Sequence, residues 1–367
     1  MLKLEHRVRI FQGPGAVQAH PEVFAGYGRR CLIVTGSGSA KKCGALDDCI
    51  TALKCAHIAY EVFDRIEPNP KTATCHAAGA AARDFGAEFI VGIGGGSPMD
   101  AAKAVAIYAK NPSFAHDGVY TRQIPAQKLP VILIGTTAGT GSEVTGVSVL
   151  THSDTGAKKS ISGADCYAEA AFCDYSYTAA LPQATTVSTA LDALAHAVES
   201  ALSNRAIEKS RAFSAQALGL LAPYILSDPP FPVPDARMRQ ALYEASVYAG
   251  AAIDLTGTCF PHTLGYVLTE QLGVPHGLAC VVFMPALIGR ARRFCPDALA
   301  FVEDALGVPM ETVLAAIRPA LPPSLPLGGD AIADAVARWQ KGVANFTRSP
   351  GGLTPEEARQ ALENVSG

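Results

Sequence analysis

The first half of the chain alternates short apolar runs with alanine-rich stretches of helical spacing, and this alternation most constrains its fold. The apolar runs cover residues 31–35, 58–63, 89–93 and 131–134, and helical stretches such as 46–56 and 72–85 lie between them. Continuous apolar strands separated by helices are typical of a parallel sheet that is covered on both faces. Ligands bind such sheets at the carboxyl ends of the strands, where this chain carries Gly, Ser and Thr.

The second half shows almost only helical periodicity, in segments such as 185–203, 208–224, 238–255, 262–272 and 278–294. Proline-rich segments at 228–234 and 321–327 separate helices, and Thr354 followed by Pro355 and Glu357 predicts a capped helix start. With 367 residues, the chain has the length of about two domains. We predict an α/β dinucleotide-binding domain over residues 1–182 and an all-α metal- and substrate-binding domain over residues 183–367.

Composition and charge exclude several classes of protein. Hydrophobic residues make up 49% and charged residues 17% of the chain, which excludes intrinsic disorder. The net charge of -3 provides no basic excess for nucleic-acid phosphates. No long apolar stretch lacks a charge or a breaker. We therefore expect a small-molecule ligand, and neither a nucleic acid nor a membrane as a partner.

The N-terminus and the cysteines favour a cytoplasmic location. Residues 1–7 are charged and lack the apolar segment of a signal peptide. The ten cysteines contain no C-x-x-C pair, and several lie in apolar runs. We expect them to be free, mostly buried thiols in a reducing compartment.

Three successive glycines, Gly94–Gly96, follow the third apolar run and precede Ser97. Such glycines let a phosphate approach backbone N–H groups closely, and the start of a helix adds unpaired donors and a positive dipole end. The segment is not a G-x-G-x-x-G fingerprint, because Ser97 occupies the last position. A glycine turn that only packs a strand on a helix is the alternative.

A second loop, residues 135–143, follows the fourth apolar run and offers the hydroxyls of Thr136, Thr137, Thr140 and Ser142. Two such loops at neighbouring strand ends suit a dinucleotide, with the pyrophosphate on one and the nicotinamide and ribose on the other. For this loop alone, an ordinary polar turn is the alternative.

Four side chains in the second half have the character of metal ligands. Asp192 and His196 are four residues apart, a spacing that places both on one face of a helix. His262 begins a helical stretch, and His276 lies in a predicted turn. Three imidazoles and one carboxylate suit Fe(II) or Zn(II). A helical i,i+4 pair and structural histidines are the alternative, and we interpret the other six histidines as surface or structural residues.

Together, these segments resemble the iron-containing (group III) alcohol dehydrogenase family from Phe11 to about Pro285. The motifs are GGGSPMD at 94–100, TTAGTGSE at 136–143, DALAH at 192–196, and His262 with PHG at 275–277. The resemblance implies a dehydroquinate-synthase-like fold, with a dinucleotide domain before a helical metal domain. It also suggests a homodimer.

The resemblance also implies roles for individual residues. The implied metal ligands are Asp192, His196, His262 and His276. The implied pyrophosphate loop comprises Gly95, Gly96, Ser97 and Asp100, and the loop near the nicotinamide half comprises Thr136, Thr137 and Thr140. Lys158 corresponds to a lysine that reaches the cofactor ribose, and Asn69 to a position that lines the cofactor cleft. Without the family, a solvated hairpin lysine would be the favoured interpretation of Lys158.

Two positions depart from the family pattern. Many relatives have a second histidine, associated with proton relay, where this chain has Tyr266. Its hydroxyl is a candidate catalytic hydrogen-bond donor, and a packing role is the alternative. Members that prefer NAD often have Asp where this chain has Gly36, next to Ser37. A carboxylate there would repel a 2′-phosphate, so its absence favours NADP over NAD as the cofactor.

These observations predict a metal-dependent, NAD(P)-linked alcohol dehydrogenase or aldehyde reductase. Hydride would pass between nicotinamide C4 and a small alcohol or aldehyde bound to the metal, with His262 essential for catalysis and Fe(II) favoured over Zn(II). A dehydroquinate-synthase-like lyase is the first alternative, although the apolar neighbours of His262 offer little to a phosphorylated substrate. A catalytically idle cofactor-binding subunit is the second.

Overall fold

The computed structural model describes residues 4–366 of the chain. These residues form two compact units, of which the first ends at Leu181 and the second begins at Pro182.

The first unit is built on a six-stranded parallel sheet. Its strands are β1 (Arg9–Gln12), β2 (Arg30–Thr35), β3 (Ala59–Phe63), β4 (Phe89–Gly94), β5 (Val131–Gly135) and β8 (Ala170–Cys173). Their order across the sheet is β1-β8-β5-β4-β2-β3. An antiparallel hairpin of β6 (Val147–Thr151) and β7 (Lys158–Ser162) forms a second, separate sheet. The central strands are buried along their length because helices cover both faces.

Six α-helices belong to the described part of the first unit. They are α1 (Ala16–Ala19), α2 (Pro21–Ala25), α3 (Ser39–Lys42), α4 (Ala45–Cys55), α5 (Thr72–Phe85) and α6 (Gly96–Lys110). The core of this unit includes Ile33, Val91 and Ile132 from three neighbouring strands, all fully buried. Two of its rings, those of Phe24 and Phe172, stack with centroids 5.2 Å apart.

The strand order places a topological switch point between β2 and β4. From β2 the chain first adds β3 on one side and then returns to add β4 on the other side. In open α/β sheets, ligands bind at the carboxyl ends of the strands at such a point. The residues that follow β2, β4 and β5 therefore occupy the edge of this sheet where a ligand is expected.

The second unit is helical, and its described residues contain no strand. Its helices are α7 (Gln183–Leu202), α8 (Glu208–Ile225), α9 (Ala236–Thr256), α10 (Phe260–Leu272), α11 (His276–Val281), α12 (Met284–Phe294), α13 (Pro296–Leu306), α14 (Met310–Ile317), α15 (Gly329–Trp339), α16 (Ala344–Arg348) and α17 (Pro355–Val365). Every residue of α7 from Ala190 to Leu202 is buried. The α7 helix is therefore a central element of this unit.

The predicted fold class is confirmed, with a parallel α/β unit followed by a helical unit. The sequence analysis did not assign β1, β8 or the two strands of the hairpin, although it interpreted Lys158 as a possible hairpin residue. One predicted helix, residues 278–294, is wrong, because α11 and α12 are separate helices. Pro285 lacks the N–H that would continue the first helix. His276 also differs from expectation, since it is the first residue of α11 rather than part of a turn.

Two smaller expectations were also tested. Thr354 caps α17 as predicted, since its hydroxyl oxygen accepts a hydrogen bond from the Glu357 N–H at 3.2 Å. All ten cysteines are free thiols, and Cys55 is the exposed one among them. Within residues 4–366, no helix combines the length and apolarity needed to cross a bilayer.

Candidate metal centre and cofactor loops

Three helices of the second unit bring one carboxylate and three imidazoles together. Asp192 and His196 lie one turn apart on α7, His262 is near the start of α10, and His276 begins α11. The Nε2 atoms of His196, His262 and His276 lie 3.8, 3.6 and 3.9 Å from Asp192 Oδ1. The structure thus brings together all four predicted metal ligands around one carboxylate oxygen.

The chemistry of this cluster fits a divalent metal ion. Asp192 and His262 are 3% and 2% exposed, and neither Asp192 Oδ1 nor His262 Nε2 has a hydrogen-bond partner among the described residues. Burying two polar atoms without hydrogen bonds lowers the stability of the folded protein unless another group binds them. Imidazole nitrogens and carboxylate oxygens are the donors that Fe(II) and Zn(II) accept.

Glu199 orients one of the three imidazoles. It lies seven residues after Asp192 on α7, is fully buried, and its Oε1 is 2.6 Å from His262 Nδ1. Its other oxygen accepts a hydrogen bond from the Cys259 N–H at 2.7 Å. A carboxylate on Nδ1 fixes the ring orientation and leaves Nε2 for an ion, an arrangement common among metal-binding histidines. The sequence analysis missed Glu199.

Contacts within the cluster shift the pKa values of Asp192 and His262. Burial alone would raise the pKa of the Asp192 carboxyl, but the neighbouring His196, His262 and His276 hold it below its usual value. Burial alone would lower the pKa of His262, but Cys280 and Glu199 help to raise it well above its usual value. A metal ion at His262 would compete with a proton, so we expect acid to weaken metal binding at this position.

Tyr266 lies next to the cluster of predicted metal ligands and contacts His276. Its ring stacks on that of His276 with centroids 5.3 Å apart and an interplanar angle of 17°. It is half-buried, one turn after His262 on α10. The stacking orients the His276 ring, so Tyr266 has a packing contact whether or not its hydroxyl acts in catalysis.

Gly277 allows the backbone of α11 to pack directly against the backbone of α7. A Cβ atom added at Gly277 would lie 1.8 Å from the Ser188 carbonyl oxygen and 2.8 Å from the Asp192 N atom. Only a residue without a side chain fits at this distance. Because Gly277 follows His276 directly, this close approach sets the position of the third imidazole against Asp192.

In the first unit, the two predicted cofactor loops lie against each other. A Cβ atom added at Gly95 would lie 3.0 Å from the Thr137 side chain, and one at Gly96 would lie 2.8 Å from that of Thr140. The Thr136 N–H donates to the Gly94 carbonyl at 2.9 Å. The loops meet because β4 and β5 are neighbouring parallel strands.

The remaining predicted cofactor residues lie near the same edge of the six-stranded sheet, where β4 and β5 end. Gly36 and Ser37 follow β2 directly. The Asn69 N–H donates to Ser97 Oγ at 3.1 Å, and the Asn69 carbonyl accepts from Thr151 Oγ1 at 3.0 Å. Thr151 pairs with Lys158 across the hairpin. The structure therefore connects Asn69 and Lys158 to the glycine loop through a short chain of contacts.

Asp100 has a different environment from the one expected of a cofactor contact. Its carboxylate accepts hydrogen bonds from Ser142 Oγ at 2.5 Å and from the Val149 N–H at 2.8 Å. Lys103, also missed by the sequence analysis, is fully buried and donates to the Ser142 and Val147 carbonyls at 2.7 Å. These bonds tie the start of α6 to the second loop and to the hairpin, and the predicted contact of Asp100 with the cofactor stays a prediction.

Comparison with known proteins identifies the family of the chain. Residues 8–175 match the family model for iron-containing alcohol dehydrogenase, and residues 186–320 match that for the C-terminal part of the Fe-containing alcohol dehydrogenase family. The chain belongs to the iron-containing alcohol dehydrogenase family. It is therefore an oxidoreductase that acts on CH–OH groups.

Relatives within the iron-containing alcohol dehydrogenases are similar over most of their length. The chain is 32% identical to the sulfoacetaldehyde reductase of Bilophila wadsworthia (strain 3_1_6), over 81% of this chain and 77% of the relative. It is also 32% identical to the long-chain-alcohol dehydrogenase 1 of Geobacillus thermodenitrificans (strain NG80-2), over 80% and 75% respectively. The crystal structure of an iron-containing alcohol dehydrogenase from Thermotoga maritima is 31% identical, with a TM-score of 0.90 over 100% of this chain and 99% of that one.

We predict that Glu199→Gln weakens metal binding by this alcohol dehydrogenase without unfolding it. Replacing a carboxylate that orients a metal-binding histidine typically lowers metal affinity or activity about 10–100-fold, because the neutral amide holds the His262 ring less firmly. Chelator competition measures the metal affinity, with circular dichroism as the test of folding. Glu208→Gln, at an exposed position on α8, is the control. Equal affinities in the two variants would contradict the role of Glu199.

Proposed function

We propose that the chain is an NADP-linked, metal-dependent aldehyde reductase that also oxidises the corresponding small alcohols. The observation that carries the proposal is the meeting of three histidine Nε2 atoms within 3.9 Å of the buried Asp192 Oδ1. Family membership supports the reaction class, and the two glycine- and threonine-rich loops support a dinucleotide as the second reactant.

Asp192, His196, His262 and His276 would hold the ion, which we propose to be Fe(II), with Zn(II) as the alternative for the same donors. When bound, the ion supplies Lewis-acid polarisation of the substrate oxygen. Glu199 keeps the His262 ring in one orientation, and the Tyr266 ring supports that of His276. These contacts fix the donor atoms before substrate arrives, so little reorganisation is needed during the reaction.

The end of β2 favours NADP as the cofactor. Gly36 presents no carboxylate that would repel a 2′-phosphate. Lys41 and Lys42 follow on α3, and both are exposed, as is Ser37. Cations and hydroxyls near this strand end suit an additional phosphate. Gly95, Gly96 and Ser97 would receive the pyrophosphate at the N-terminus of α6.

The surroundings of His262 favour a small, weakly polar substrate. Phe260, Pro261 and Leu264 are its neighbours on α10, and all are buried. This apolar stretch suits an aliphatic alcohol or aldehyde better than the phosphorylated substrate of a dehydroquinate-synthase-like lyase. We further propose a cytoplasmic homodimer, which the family resemblance and the free thiols favour.

An anaerobic screen of short aldehydes tests the proposal. With Fe(II) or Zn(II) added back to metal-free protein, we expect aldehyde-dependent loss of NADPH absorbance, faster than that of NADH at equal concentration. Product formation without a stoichiometric change in NADPH would instead support a lyase. A protein that takes up neither metal and turns over no aldehyde would support an idle cofactor-binding subunit.

A further inference from the structure

Cys280 shares a helix face with one of the predicted metal ligands. It lies four residues after His276 on α11, a spacing that puts both side chains on the same side of the helix. Its Sγ is 3.7 Å from each ring nitrogen of His276, and the residue is fully buried. The thiol therefore faces the cluster rather than the apolar packing around it.

The sulfur completes a compact group of donor atoms. One ligand atom each from Asp192, His262, His276 and Cys280 lies within 4.8 Å of the others, and this is the one such group of His, Cys, Asp and Glu found among residues 4–366. Two of these atoms, Asp192 Oδ1 and His262 Nε2, are buried without a hydrogen-bond partner there. An ion that satisfies both atoms lies within reach of the thiol.

The position of Cys280 is set by the same kind of close helix contact that positions His276. A Cβ atom added at Gly265 of α10 would lie 3.1 Å from both the N and the Sγ atoms of Cys280. Cys259, another buried cysteine near the cluster, differs, since its Sγ contacts the Glu199 backbone carbonyl at 3.4 Å. Cys259 therefore has a packing partner on α7, whereas Cys280 is among the potential ligands.

We propose that Cys280 Sγ is an additional donor to the metal ion, next to the three imidazoles and the carboxylate. The proposal rests on the metal site of the proposed function and adds a sulfur ligand to it. As the S–metal bond forms, the S–H bond breaks and its proton passes to water, so no electron is transferred. Sulfur is a softer donor than imidazole or carboxylate and suits Zn(II) and Co(II).

Cobalt absorption tests this ligand without relying on activity. Metal-free full-length protein is loaded with Co(II) under anaerobic conditions, and we expect a near-ultraviolet sulfur-to-cobalt charge-transfer band alongside the visible cobalt bands. Cys280→Ser should lose the charge-transfer band and keep the visible bands. Cys75→Ser, which changes a fully buried helical cysteine in the first unit, is the matched control and should keep both.

The outcomes separate this inference from the proposed function. Bound cobalt without the sulfur band, or a band that survives in Cys280→Ser, overturns the role of Cys280 and leaves the metal site standing. Failure of the wild-type protein to bind cobalt at all overturns the metal site and the sulfur ligand together.

X-ray absorption of the zinc-loaded wild-type protein keeps the test independent of any variant. We expect a sulfur neighbour at about 2.3 Å, and a shell of nitrogen and oxygen alone overturns the proposal.

Discussion

His262→Ala is expected to abolish turnover and to strip the protein of its metal. His262 contributes a buried Nε2 that lies 3.6 Å from Asp192 Oδ1 and has no hydrogen-bond partner in the described chain. If the ion supplies about 4 kcal/mol of transition-state stabilisation, its loss lowers kcat/KM about 10³-fold. Metal analysis of the purified variant and steady-state kinetics with NADPH measure the two effects.

His20→Ala is the control for this variant. His20 is a half-buried residue of the first unit that pairs with Glu22 and belongs to neither the metal-ligand cluster nor the cofactor loops. It should retain the metal content and the kcat/KM of the wild type. If His262→Ala kept its metal, or if metal-stripped wild-type protein were fully active, the proposed centre would be wrong.

Gly277→Ala should disrupt the same centre without changing any ligand. The added methyl group cannot fit 1.8 Å from the Ser188 carbonyl oxygen, so α11 must move away from α7 and take His276 with it. Overpacking of this kind costs about 3 kcal/mol, which corresponds to a fall in Tm of roughly 6–12 °C for a unit of this size. Thermal unfolding and metal analysis should show lower stability and lower metal content together.

Gly289→Ala makes the same chemical change where there is space for it. Gly289 lies inside α12, and a Cβ atom added there has no neighbour within 4 Å. Alanine in a helix interior is favoured over glycine by roughly 0.5–1 kcal/mol, so this variant should be slightly more stable than the wild type. Equal behaviour of the two variants would show that the contact between α7 and α11 does not control the site.

The positions of the two predicted cofactor loops could be expected from the sequence because of a general property of parallel sheets. Apolar runs that end in glycine or threonine predicted where β4 and β5 end, and neighbouring parallel strands end at the same edge. The proximity of Gly95 to Thr137 follows from this pairing. What the sequence did not predict is that the Asp100 carboxylate bonds to Ser142 and Val149, because that depends on where the hairpin folds back.

The sequence predicted the four candidate metal ligands that the structure brings together, but not the residues that hold them in position. The spacing of Asp192 and His196 indicated one helix face, and Glu199 lies seven residues after Asp192 on that face. Its partner, His262, is 63 residues away in the chain, so only the packing of α10 on α7 identifies the contact. The sequence analysis expects Cys280 to be one of the free, mostly buried thiols, and its i,i+4 relation to His276 follows only from the structure, in which α11 begins at His276.

The four predicted ligands come from three helices, and this has a consequence for when such a site could form during biosynthesis. No short segment carries the set, since Asp192 and His276 are on α7 and α11 and meet only where Gly277 lets those helices touch. A binding site of this kind does not exist in the unfolded chain. The complete donor set that we propose for the ion would therefore exist only after His276 has been synthesised and the helices have docked, so we expect metal uptake to depend on correct packing of α11 against α7.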